Sequence, residues 1–162
     1  LLDALSDYIS RQGFTSAYHH HMGTVIQDAD DIQRLMNDTE KLGLLFDTGH
    51  LAYASEDPLR VLKTHCDRVT HVHLKNIRTS VLRNNLEKDT DFFTAILDGA
   101  FTVPGDASDG EIDFHPILET LAHSGYNGWM IVEAEQDPSK APPYQYAKMG
   151  YNFLAPRTSI TV

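Results

Sequence analysis

Leu44-Leu45-Phe46-Asp47-Thr48-Gly49-His50 decides how the rest of the chain is read. A short, wholly apolar run suits a strand buried on both faces, as in a parallel sheet covered by helices. The run ends in an acid and a histidine, two residue types that bind metals or move protons. Working outward, the same layout recurs. Upstream, a helical pattern from about Asp30 to Lys41 carries Ile32, Leu35 and Met36 on one face and stops at Gly43. Before it, Phe14 to Thr24 reads as a strand ending in a loop, and Leu1, Leu2, Leu5, Tyr8 and Ile9 keep helical spacing up to Gly13. Downstream, Asp57 and Pro58 form an N-cap and first-turn pair for a third helix. Val69-Thr70-His71-Val72-His73-Leu74-Lys75-Asn76 reads as the next strand. A long connection follows from Ile77 to Gly110, with a helical part expected at Phe92, Phe93, Ile96 and Leu97 and loops marked by Pro104-Gly105-Asp106 and Ser108-Asp109-Gly110. Asp113 opens another helix, Trp129-Met130-Ile131-Val132-Glu133 reads as the last strand, and a final helix is expected around Tyr144 to Phe153. Strands alternating with helices predict an α/β fold with parallel strands and crossover helices. No internal repeat or boundary divides the chain, so residues 1–162 are read as one domain.

Composition narrows the function. The 162 residues hold 13 Lys and Arg against 23 Asp and Glu, a net charge of −10, which disfavours a nucleic-acid partner. A hydrophobic content of 41% supports a packed core rather than disorder. No apolar run reaches the ~18 residues of a membrane span, and no signal-peptide pattern opens the chain. One cysteine, Cys66, allows no internal disulfide, and a reducing, cytoplasmic setting is expected. The length is short for a complete eight-stranded α/β barrel, which takes ~250 residues. The first residue is Leu1, inside a helical pattern, so a piece of something longer is expected.

Each strand ends in chemistry. The first ends in His19, His20 and His21, the second in Asp47 and His50, the third in His71 and His73, and the fourth in Glu133 and Glu135. In a parallel sheet these C-terminal ends share one face, where α/β enzymes place their sites. Alternation puts His19 and His21 on one side and His20 on the other, and pairs His71 with His73 and Glu133 with Glu135. A set of imidazoles and carboxylates suits Zn²⁺, Mn²⁺, Fe²⁺ or Co²⁺ better than Mg²⁺ or Ca²⁺. Asp47 and His50 are expected to converge through a bend at Gly49, with His50 above the metal. Lys75 falls on the His73 side, where it can bind an anionic or hydroxylated ligand or support an oxyanion.

Tyr18-His19-His20-His21-Met22-Gly23-Thr24, Asp47-Thr48-Gly49-His50, His71-Val72-His73-Leu74-Lys75, Gly110-Glu111-Ile112-Asp113-Phe114 and Gly125-Tyr126-Asn127-Gly128-Trp129 with Val132-Glu133 resemble the xylose-isomerase-like TIM-barrel superfamily. Within it, the three-histidine run and Glu133-Ala134-Glu135-Gln136-Asp137-Pro138 resemble the inosose dehydratases. The resemblance extends over about residues 1–155 and implies a (β/α)8 barrel of which this chain supplies the C-terminal half, strands five to eight. It implies four metal ligands. Asp47, His73 and Glu133 match the superfamily's Asp, His and last Glu, and His19 stands where the first Glu would be, with His21 a second candidate. Asn76 stands where an Asp is common, and Ala107-Ser108-Asp109 resembles a short insertion.

Replacing one of the paired glutamates argues against the symmetric proton swap of the isomerases and epimerases. The resemblance instead implies a hydro-lyase that removes water from 2-keto-myo-inositol to give a trihydroxycyclohexane dione in inositol catabolism. Its implied cofactor is a divalent metal, Mn²⁺ or Co²⁺ ahead of Zn²⁺ or Fe²⁺. Its implied partner is a small cyclic polyol ketone, with no nucleic acid and no membrane; a homo-oligomer is left open. Glu133 or a nearby histidine would take the α proton, His21 or His50 would protonate the leaving hydroxyl, and Lys75 would face substrate. Two other readings stand beside this one: a sugar isomerase or epimerase on the same barrel, and a non-catalytic metal- or sugar-binding half-barrel.

Overall fold

The computed structural model describes residues 1–106, 110 and 112–158. Ala107-Ser108-Asp109 and Glu111, singled out in the sequence, lie outside the described residues. In chain order the elements are α1 (Leu2–Arg11), β1 (Ala17–His19), α2 (Ala29–Asn37), β2 (Gly43–Asp47), α3 (Thr48–Tyr53), α4 (Pro58–His65), β3 (Val69–Leu74), β4 (Asn76–Ile77), α5 (Thr79–Glu87), α6 (Phe92–Asp98), β5 (Phe101–Thr102), α7 (Phe114–His123), β6 (Met130–Val132) and α8 (Pro143–Thr158). A 3-10 turn, Cys66–Arg68, leads into β3.

The main sheet has the order β1-β2-β3-β6, and every pairing in it is parallel. The expected alternation is therefore what forms. Leu44, Phe46, Val72 and Leu74 are fully buried and pack with Ile32, Leu62 and Ile117 of the helical layer. The opposite face carries His19, Asp47, His73 and, beyond the end of β6, Glu133. The register sets Asp47 beside His73, and His73 beside Ile131 two residues before Glu133. Among the described residues, β1 and β6 each have one strand neighbour, so both edges of the sheet are open. Trp129 is 76% exposed beside the β6 edge. On α1, Leu2, Leu5 and Tyr8 are exposed although they share a helix face.

Helix starts follow local chemistry. Asp28, Asp47, Asp57, Asp91 and Asp113 each cap a helix, accepting a backbone N–H with the side chain. Four elements differ from the sequence reading. Residues Thr48–Tyr53 form a helix rather than a loop, and Gly49 sits inside it without a positive φ. Gly49 is thus no bend: a Cβ there would lie 2.6 Å from Lys75 Cγ, so the glycine makes room for the lysine stem. The connection after Ile77 also holds α5 and the antiparallel pair β4–β5. This segment encloses a second small core of Tyr53, Ile77, Leu82, Ala95, Ala100 and Phe101 at the rim of the sheet. Among the described residues no helix is long and apolar enough to cross a membrane.

Candidate metal centre

Asp47 occupies the centre of the C-terminal face and is fully buried. Two neighbours fix it. Its backbone N–H donates to His20 Nε2 at 3.1 Å, and its Oδ1 accepts the His50 backbone N–H at 2.9 Å as the cap of α3. This leaves Oδ2 with no hydrogen-bond partner. Around it stand His73 Nδ1 at 3.5 Å, His19 Nε2 at 3.6 Å and Lys75 Nζ at 3.6 Å. Glu133 Oε1 lies 3.2 Å from His73 Nδ1.

The polar atoms of this set are not satisfied by one another. His19 Nε2, Asp47 Oδ2 and His73 Nδ1 are buried without a hydrogen-bond partner, and Glu133 Oε2 meets the Lys75 ammonium in an ion pair. Each buried polar atom left unpaired costs about 1–3 kcal/mol, so several converging on one point call for an electrophile there. The acids point the same way. Asp47, Glu133 and Glu135 face the Lys75 ammonium and the His73 imidazole, so carboxylates outnumber the cations around them. His19, Asp47, His50 and Glu133 offer ligand atoms all within 4.8 Å of one another. The donor types fit Zn²⁺, Mn²⁺, Fe²⁺ or Co²⁺.

Electrostatics follow from this crowding. Burial alone would raise the Asp47 carboxyl, but the His19 and His73 imidazoles and the Lys75 charge hold it well below the usual carboxylate range. Burial alone would also raise Glu133, yet His73 and Lys75 draw it down to about 2. His73 moves the other way: burial would lower it, and the Asp47 and Glu133 carboxylates raise it to about 9. Burial pushes His20 down to about 4 and His50 to about 2, so both stay neutral at pH 7.

The expected site residues gather, with differences of depth. His19, Asp47 and Glu133 come together with His50, and His73 borders them, its Nδ1 3.5 Å from Asp47 Oδ2 and 3.2 Å from Glu133 Oε1. Lys75, expected to face substrate, is fully buried beneath the carboxylates. Its ammonium lies 2.8 Å from Glu135 Oε2 and 3.0 Å from His50 Nε2. His50 is also fully buried, stacked beneath His21 at 3.8 Å between ring centres and flanked by Phe92 and Phe101. His21 stands further out, its Nδ1 2.7 Å from the Met22 carbonyl and its Nε2 3.4 Å from Glu135 Oε1. His71 shares the face of His73 but brings no ligand atom to the cluster. The sequence reading gave no role to His20, and it named no partner for Glu135. Alternation already set His20 apart from its neighbours and put Glu135 beside Glu133. A cleft of about 490 Å³ between α4, α5 and α7 contains none of these residues.

A family model for the xylose isomerase-like TIM barrel matches residues 1–156. The chain is 48% identical over 155 residues to the rhizopine catabolism protein MocC of Rhizobium meliloti, across 95% of this chain and 47% of that protein. It is 49% identical over 155 residues to the inosose dehydratase of Geobacillus thermodenitrificans, across 94% of this chain and 51% of that protein. The chain thus spans about half the length of the curated relatives it matches. Among solved structures it resembles the IOLI protein with a binding zinc atom, with a TM-score of 0.65 at 17% identity, across 98% of this chain and 54% of that one. It also resembles the probable 3-DHS dehydratase AsbF of Bacillus anthracis, with a TM-score of 0.68 at 13% identity, across 95% and 54%. At such identities the likeness concerns the fold alone. With the family pattern running through nearly every residue and the strands parallel, the chain belongs to the xylose isomerase-like TIM barrel family.

Proposed function

We propose that this chain is the C-terminal half of a (β/α)8 barrel and carries the metal centre of a hydro-lyase. The reaction is loss of water from 2-keto-myo-inositol, giving a trihydroxycyclohexane dione in inositol catabolism. The observation that carries the reading is the convergence of His19 Nε2, Asp47 Oδ2, His73 Nδ1 and Glu133 on one buried point. The choice of substrate is supported by the 43–49% identity to inosose dehydratases over almost the whole chain. A substrate of this kind suits a cytoplasmic catabolic enzyme.

Dehydrating a β-hydroxy ketone requires a polarised carbonyl, removal of an α proton and protonation of the leaving hydroxyl. A divalent metal held by His19, Asp47, His73 and Glu133, Mn²⁺ or Co²⁺ ahead of Zn²⁺ or Fe²⁺, supplies Lewis acidity at the ketone oxygen. Glu133, partly exposed at the end of β6, or a nearby histidine accepts the α proton. His21 is the acid that serves the leaving hydroxyl. Its Nδ1–H is committed to the Met22 carbonyl, so Nε2, 3.4 Å from Glu135 Oε1, is the atom left to exchange the proton. His50 is buried and neutral, and acts instead by orienting Lys75 and His21.

The test uses the barrel with both halves. Asp47→Ala, His73→Ala and Glu133→Ala are each expected to lose bound metal and dehydration together; retention of both contradicts the reading. Product analysis separates it from an epimerase, because water loss yields a conjugated dione that absorbs in the ultraviolet and epimerisation does not. The 48% identity to MocC favours a second reading, action in rhizopine catabolism, which the same assay tests with rhizopine-derived substrates.

A further inference from the structure

His21, His50 and Glu135 form a second group whose ligand atoms lie within 4.8 Å of one another, sharing His50 with the group of His19, Asp47, His50 and Glu133. Two of its members are already engaged by the Lys75 ammonium, at 3.0 Å from His50 Nε2 and 2.8 Å from Glu135 Oε2. That ammonium also pairs with Glu133 and lies 3.6 Å from Asp47 Oδ2, so it stands between the two groups. We propose that Lys75 is a built-in cation that takes the position a second divalent metal would occupy at His21, His50 and Glu135, and so keeps the centre mononuclear. The proposal rests on the metal centre proposed above.

Three features hold this one ammonium in place. Gly49 leaves the channel through which the lysine stem runs, since a Cβ there would lie 2.6–2.7 Å from Lys75 Cβ, Cγ and Cδ. Thr48 Oγ1 pins the Lys75 backbone from both sides, accepting its N–H at 2.9 Å and donating to its carbonyl at 2.6 Å. The Phe101 ring lies 4.8 Å from Nζ and closes the apolar side. A lysine whose stem is threaded past a glycine and whose head is fully buried is placed for its charge, not for solvent contact. A fixed positive charge at that point repels a second metal ion and satisfies the acceptors such an ion would need.

The experiment is Co²⁺ binding to the barrel with both halves by equilibrium dialysis, with folding checked by circular dichroism. The wild type is expected to bind one Co²⁺ and Lys75→Met two. Lys75→Met combined with His21→Ala returns to one, and His21→Ala alone stays at one. Two Co²⁺ in the wild type, or one in folded Lys75→Met, overturns the proposal while leaving the resident centre intact. No Co²⁺ in the wild type overturns the metal centre itself. If Lys75→Met does not fold, Lys75→Gln takes its place, with two Co²⁺ expected and one overturning the proposal; loss of the single Co²⁺ in His21→Ala would put His21 in the resident centre and overturn it as well.

Discussion

His20 Nε2 accepts the Asp47 backbone N–H just past the last β1–β2 register pair, where the strand itself offers no carbonyl. The imidazole therefore extends the ladder by one rung and holds a proposed ligand in place. Its neighbours differ from it by alternation: His19 turns to Asp47 Oδ2 and His21 to Glu135. Replacing His20 by Leu leaves the Asp47 N–H unpaired, at about 1–3 kcal/mol. Thermal melting should show a larger loss for His20→Leu than for His20→Gln, which keeps an acceptor; equal losses would remove the acceptor role. For His21, the acid role predicts that His21→Gln lowers kcat by about 10²–10⁴-fold with bound metal unchanged. Metal analysis beside kinetics checks this, and loss of metal would make His21 a ligand instead. The sequence made the outward set legible because period-two alternation sorts side chains by face. It left the role of His20 open, because alternation says which face a residue takes and not which backbone group waits there.

At the scale of elements, the main strands and their helices were legible because each is either wholly apolar or carries a clear apolar stripe. Helix α3 was not. It has six residues, too few for a helical period to declare itself, and it is started by Asp47, which the reading had already assigned to chemistry. Helix α5 was hidden because Thr79, Ser80, Asn84 and Asn85 are poor helix formers. Its anchor is tertiary, through Leu82 in the small rim core. The double duty of Asp47 predicts a separable outcome. Asp47→Asn and Asp47→Ala should both lose metal, but only Ala loses the cap. The cap is worth about 1 kcal/mol, or about 2–4 °C in a chain of this size. Calorimetry of the two metal-free variants measures that gap, and identical melting temperatures would deny Asp47 its capping role.

Among the described residues the main sheet has four parallel strands, open at β1 and β6, with a helical layer and a rim segment. Exposed Leu2, Leu5 and Tyr8 on α1 and Trp129 beside β6 mark where further strands and helices of a barrel would pack. The parallel sheet with crossover helices was legible from the order of elements, whereas the half-barrel is what the family resemblance implied. Its response to acid is a property of the whole. His65 is buried away from the metal cluster, and burial lowers its pKa from 6.5. The unfolded chain therefore binds a proton there more readily, so stability is held above about pH 6.5 and declines as pH falls below it. His65→Leu should flatten the fall in melting temperature between pH 7.5 and 5; an unchanged fall would exclude His65 as a cause. The central claim, a metal-dependent dehydratase centre, is tested most directly in the barrel with both halves. The measurement is dehydration of 2-keto-myo-inositol before chelation, after chelation, and after Mn²⁺ or Co²⁺ is restored. The account predicts loss of the ultraviolet-absorbing dione on chelation and its recovery with metal. Activity that survives chelation, or a product that retains every hydroxyl, would contradict it.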